Sequence, residues 1–136
     1  MARKTALVVI EAQGRDHGKQ FALREMPASQ AEKWAMRALL ALARAGIDLP
    51  DDPAEAGLPE IARIGLSALG AMAFADAEPL MDEMMACVRA VPDPARPAIL
   101  RPLIEDDIEE VATRLHLRRE VFQLHVGFSI PAVPWL

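Results

Sequence analysis

Two runs near the start of the chain, KTALVVIEAQ and KQFALREM, are apolar in their centres and flank GRDHG, which has a glycine at each end and no apolar residue. The pattern predicts two short strands joined by a loop of about five residues, a β-hairpin. A lone hairpin is marginal in water, so it must lie on helices or pair with another chain. After Pro27 the period lengthens. Ser29 and Glu32 form an S-x-x-E capping box, and a helix is expected to run to about Ala45 with Gly46 as its stop. Trp34, Ala38, Ala41 and Leu42 would form its apolar side, widened by Leu39 and Leu40, with Lys33, Arg37 and Arg44 elsewhere.

The stretch DLPDDPAEAGLP reads as a loop, and Ile61, Ile64, Leu66 and Leu69 suggest a short helix ended by Gly70. DAEPLMDEMMACVRAV is expected to be a third helix, with Asp76 as N-cap and Pro79 in its first turn. PDPARPAILRP, with four prolines, reads as an ordered extended connector. The last regular segment, 104–128, holds two apolar sets with the same 4-3-4 spacing: Ile104, Ile108, Val111, Leu115, and then Leu117, Val121, Leu124, Phe128. The second is out of phase with the first by roughly 200° on a 3.6-residue helix. Either one helix is apolar on two sides, or the chain turns near His116 and Leu117; two helices are the expected outcome.

These elements predict a mainly α fold: a compact helical domain with a short N-terminal β-hairpin. A single domain over 1–136 is expected, with the hairpin at 4–26, the helical body at 28–128 and an irregular tail at 129–136. Composition agrees with a helical core. Hydrophobic residues make up 52% of the chain but aromatics only 4%, so the core is built from Ala, Leu, Ile, Val and Met. The net charge of −5 repels nucleic acid and anionic membranes unless a local basic patch overrides it. One cysteine, Cys87, excludes an internal disulfide and a zinc ribbon, and suits a reducing cytoplasm. The apolar runs at 6–10 and 64–74 are too short for a signal peptide or a membrane span, which predicts a soluble protein.

The densest chemistry is IEDDIEE, residues 104–110, with carboxylates at Glu105, Asp106, Asp107, Glu109 and Glu110. It lacks the glycine and alternation of a calcium loop and the E-x-x-H of a di-iron site. Carboxylates stacked on one exposed helix also do not face each other across a cleft as a glycosidase pair does. Acids in a first turn are stabilised by the helix dipole, and Glu110 lies four residues before Arg114. The cluster therefore reads as a solvated or partner-binding face, with Asp106, Asp107 and Glu110 as its candidate contacts.

Met81, Met84 and Met85, with Leu80 and Val88, form a stripe that is either core or an adaptable binding surface. Phe128 is a further candidate contact. Cys87 reads as a buried structural thiol, and His116 with Glu120 lacks a third metal ligand. GRDHGK is too short for a phosphate loop and lacks its Ser or Thr, and no serine sits in a nucleophile elbow. No catalytic residue, cofactor or metal is expected, and the chain does not read as an enzyme. EEVATRLHLRREVFQLHV imitates a helix-turn-helix over 112–125, with Arg118, Arg119, Gln123 and His125 on the second helix. A small DNA-binding regulator is thus the alternative reading. His116 in place of the turn glycine and the five preceding acids argue against it.

Taken together, VVIEAQGRDHGKQFALREMPASQAEKWAMRALLALARAG and RPLIEDDIEEVATRLHLRREVFQLHVGFS resemble the two ends of a phage tail assembly chaperone family, found in long-tailed phages and prophages. The resemblance covers about residues 4–129; SIPAVPWL lies outside it. It implies a mainly α-helical, self-associating assembly factor in the host cytoplasm, absent from the finished virion. Such a factor would bind the tape measure protein, keep it soluble, and help deliver tail tube subunits. Many members also make a longer, frameshifted form whose extra domain contacts the tube protein, and this chain would be the short form.

Overall fold

Side-chain alternation in TALVV and QFALR places Ala6, Val8, Phe21 and Leu23 on one face of a hairpin and Leu7, Val9 and Arg24 on the other. The computed structural model describes residues 3–44, 46 and 72–126. Strands β1 (Thr5–Val9) and β2 (Gln20–Arg24) form that hairpin in antiparallel register, Leu7 opposite Ala22. Helices α1 (Ala28–Arg44) and α2 (Phe74–Met85) follow, then strands β3 (Val88–Val91) and β4 (Arg101–Pro102), a 3₁₀ turn (Glu105–Asp107) and helix α3 (Val111–Val126). The four strands make one antiparallel sheet in the order β1-β2-β3-β4.

The fold is therefore an α/β mix, three helices with a four-stranded sheet among the described residues, and not the mainly α domain with one hairpin that the periodicity predicts. The correction centres on CVRAV. The apolar run of the third helix continues through it in the text, and a short apolar run does not itself distinguish helix from strand. The chain leaves the helix at Met85, the Cys87 carbonyl accepts the Arg24 N–H at 3.0 Å, and Val88 pairs with Leu23 across β2. A strand pairing there supplies the second edge of β2 with partners that a longer α2 would leave unmade. Arg101 and Pro102 of the expected connector then close the sheet against β3.

The second correction concerns 104–128. Helix α3 runs without a break through His116 and Leu117, so no helix-turn-helix forms over 112–125. Ile104 and Ile108 precede the helix. Among the described residues of the two apolar sets, Leu117 and Val121 are fully buried and Leu124 nearly so, while Ile104, Val111 and Leu115 are exposed. On α3 itself, Val111 and Leu115 lie on one side and Leu117, Val121 and Leu124 on another.

Two compact units divide the chain, one over Met1–Glu25 and Met84–His125, the other over Met26–Glu83 and Val126–Leu136. In the first, Phe21, Leu23, Val88 and Ala90 share the buried face of the sheet, and with Met84, Met85, Leu117, Val121 and Leu124 they make up its core. The Phe, Leu, Val and Met side chains among them each contribute roughly 1.5–3 kcal/mol by leaving water. In the second unit, α1 and α2 run antiparallel. The Trp34 indole N–H donates to the Leu80 carbonyl at 3.0 Å, Arg37 pairs with Glu83, and Arg44 pairs with Asp76 at 2.9 Å. Helix α1 begins at Ala28, so Ser29 lies in its first turn and the Pro27 carbonyl accepts the Ala31 N–H. Its stop is the expected one: Gly46 has φ +83, where a Cβ would be strained, and donates to the Ala43 carbonyl. Asp76 likewise lies inside α2, not at its cap. The loop from 48, the short helix expected before Gly70, Phe128 and the tail 129–136 lie outside the described residues.

Candidate functional site

The EDDIEE segment meets, through Asp107, Glu109 and Glu110, a loop nearly a hundred residues earlier in the chain. Asp16, in the loop 10–19 of the hairpin, is buried. Its Oδ2 accepts the backbone N–H of Glu110 at 3.0 Å and the Thr113 hydroxyl at 2.7 Å, and its two oxygens share the Glu109 N–H at 3.0 and 3.1 Å. Lys19 Nζ donates to Asp16 Oδ1 at 2.8 Å. The Glu109 and Glu110 N–H groups lie immediately ahead of Val111, so Asp16 ties down the start of α3 from a distant loop. Burial alone would raise its pKa. The hydrogen bonds from Lys19, Thr113, Glu109 and Glu110 outweigh that and hold the carboxyl well below the usual carboxylate range. A carboxylate so fully engaged is a poor base and a poor metal ligand.

The surrounding charges close the same clasp. Lys19 also donates to the Asp107 carbonyl at 3.1 Å and the Glu109 carboxylate at 3.3 Å, and its pKa is raised, chiefly by Asp16. Arg15 donates to the Glu109 carbonyl at 2.7 Å and pairs with Glu110 at 3.3 Å. Gly14 approaches so closely that a Cβ there would lie 2.7 Å from the Glu110 carboxylate. Asp107 takes a two-pronged bond from Arg101, at 2.6 and 2.7 Å, and accepts the Ile104 N–H at 2.8 Å. Arg101 holds its carboxyl below the usual range against the opposing effect of partial burial. Three of the five acids thus hold the chain to itself. Glu105 and Asp106 are exposed and form no ion pair among the described residues.

Of the three candidate contacts in the acid cluster, Asp106 is exposed with no ion pair among the described residues, while Asp107 and Glu110 are engaged as above. Met84 and Met85 are buried, Met81 is half-buried, and Phe128 lies outside the described residues. Cys87 is a buried thiol outside any disulfide. Among the described residues no group of three or more His, Cys, Asp or Glu is placed to hold a metal ion, and no helix is long and apolar enough to cross a membrane.

The first of the two apolar sets reaches the outward side of α3. Val111 is 73% exposed and Leu115, one turn on, 55%. Ile104, just before the helix, is exposed as well. The clasp fixes where this helix starts and hence which side it turns outward. In the second unit, Met36 and Leu40 of α1 are exposed one turn apart beside a shallow groove of about 460 Å³, flanked by Lys33, Arg37 and Glu83. The signal available for α3 was the phase shift between its two apolar sets, which a single helix turns into opposite faces. In comparisons with known families, characterised proteins and solved structures, nothing matches this chain.

Proposed function

We propose that this protein is a non-enzymatic tail assembly chaperone of a long-tailed phage or prophage. It binds the tape measure protein in the host cytoplasm, keeps it soluble, and helps recruit tail tube subunits, the last through a longer frameshifted form. The observation that carries the reading is the pair of exposed apolar side chains, Val111 and Leu115, on a helix whose opposite side is fully buried. A helix apolar on both sides retains one side for a partner. The fitting partner is an amphipathic helix laid along it, and a tape measure protein, as the resemblance implies, exposes long helices of that kind. Net charge −5 keeps such a complex dispersed, and Asp106 stands ready to meet basic partner residues. The two stretches that carry the resemblance include both halves of the Asp16 clasp, so the family likeness and the presentation of α3 fall on the same residues.

Co-expression tests this reading. A tape measure protein from the same phage, insoluble alone, is expected to move into the soluble fraction with the wild-type chain. The double variant Val111→Asp, Leu115→Asp is expected to lose that rescue. Its melting temperature should stay near wild type, since both sites are exposed and an acid in the first turn is compatible with the helix dipole. An insoluble tape measure protein in the presence of wild-type chain would end the proposal.

A further inference from the structure

Among the described residues, strand β1 is one edge of the sheet and β4 the other. The β4 edge is two residues long and ends on Pro102, which has no N–H to offer a further strand. The β1 edge is five residues, TALVV, with neither charge nor proline. Its outward groups follow from the hydrogen bonds at its ends. Glu25 N donates to Lys4 O and Ile10 N to Lys19 O, both at 2.9 Å, so even-numbered residues turn their backbone toward β2. The N–H and C=O groups of Thr5, Leu7 and Val9 therefore point to the open edge. Their side chains share the solvated face of the sheet, where Leu7 is 51% exposed and Val9 42%. An open, uncharged, apolar edge is a template for another strand.

We infer that β1 pairs antiparallel with β1 of a second copy, about a two-fold axis at Leu7, and joins two four-stranded sheets into one. In this register Leu7 faces Leu7 and Thr5 faces Val9, so all three outward residues of each strand meet outward residues of the other. A one-residue slip sets outward groups against inward ones, and a two-residue slip loses a pair within the strand. Charge selects the same alignment. Arg3 and Glu11 lie two residues beyond the ends of β1, and continuing the strand alternation in this register sets them opposite each other at both ends of the pair. The two Leu7 side chains lie side by side and shield each other from water. The interface uses residues other than Val111 and Leu115 and does not depend on the chaperone reading.

Sedimentation velocity over a concentration series on the full chain tests the pairing. The wild type is expected to sediment as a dimer that dissociates on dilution. Leu7→Lys, which sets two ammonium groups together at the axis, should weaken the dimer at least tenfold with an unchanged circular dichroism spectrum. Arg3→Glu should weaken it, and adding Glu11→Arg should restore it. A wild-type chain that is monomeric at every concentration overturns the inference, as does a dimer that Leu7→Lys leaves intact.

Discussion

Asp16→Ala is expected to destabilise the protein by about 3 kcal/mol, a large part of the 5–15 kcal/mol typical of a whole domain. The substitution leaves two backbone N–H groups, the Thr113 hydroxyl and Lys19 without the acceptor they share. A lost tie at a helix start alone costs about 1 kcal/mol; leaving the buried Thr113 hydroxyl and the Glu109 and Glu110 N–H groups without an acceptor adds more, while Lys19 keeps Glu109 as a partner. Urea unfolding followed by circular dichroism measures the loss. Asp16→Asn, which keeps one oxygen but gives up the charge, should fall between alanine and wild type.

The same residue sets an acid dependence. Its folded pKa lies well below the unfolded value near 3.9. A group depressed in the folded state contributes fully above its unfolded pKa and loses that contribution as pH falls toward the folded one. Wild-type stability should therefore decline from about pH 4 downward, and more steeply than in Asp16→Asn. Some decline remains in the variant because Asp107 is also depressed by Arg101. Parallel curves for the two proteins would show that Asp16 is not held as described.

Leu117→Ala is the second large effect, expected to cost about 2–5 kcal/mol, against less than about 0.5 kcal/mol for Leu115→Ala. The two leucines are two residues apart on α3, one fully buried and the other more than half exposed. Truncating Leu117 removes apolar contacts and opens a cavity that neighbours such as Val121 fill only in part. Truncating Leu115 changes a side chain already in water. If the chain turned at His116 and both apolar sets were core, the two costs would be alike. Equal losses would thus contradict the continuous helix, and chemical denaturation of the two variants decides it.

Local signals carried well where local physics decides. The hairpin was legible in two apolar runs around a glycine loop, and the end of α1 in Gly46, whose positive φ no other residue takes as readily. Strand β3 was not legible, because Val88, Ala90 and Val91 extend the apolar run of α2 and become a strand only through pairing with β2. The apolar faces of 104–128 were counted correctly and assigned wrongly. Periodicity shows that two sides are apolar, but only tertiary packing shows which is covered. The acid cluster was conspicuous by density alone. Its meaning lay in Asp16, Arg15 and Lys19, which sit in a loop that reads as solvated until the chain folds back on it.

The central claim, that the outward side of α3 receives the tape measure protein, is tested most directly by thiol footprinting at Leu115→Cys. Cys87 is buried and gives a slow background. The new thiol should react rapidly in the isolated chain and be shielded in the complex recovered from co-expression, while a thiol at Met36 serves as a second position on the other unit. Shielding at Leu115 is the predicted result. A complex in which Leu115→Cys reacts as fast as in the free chain would contradict it.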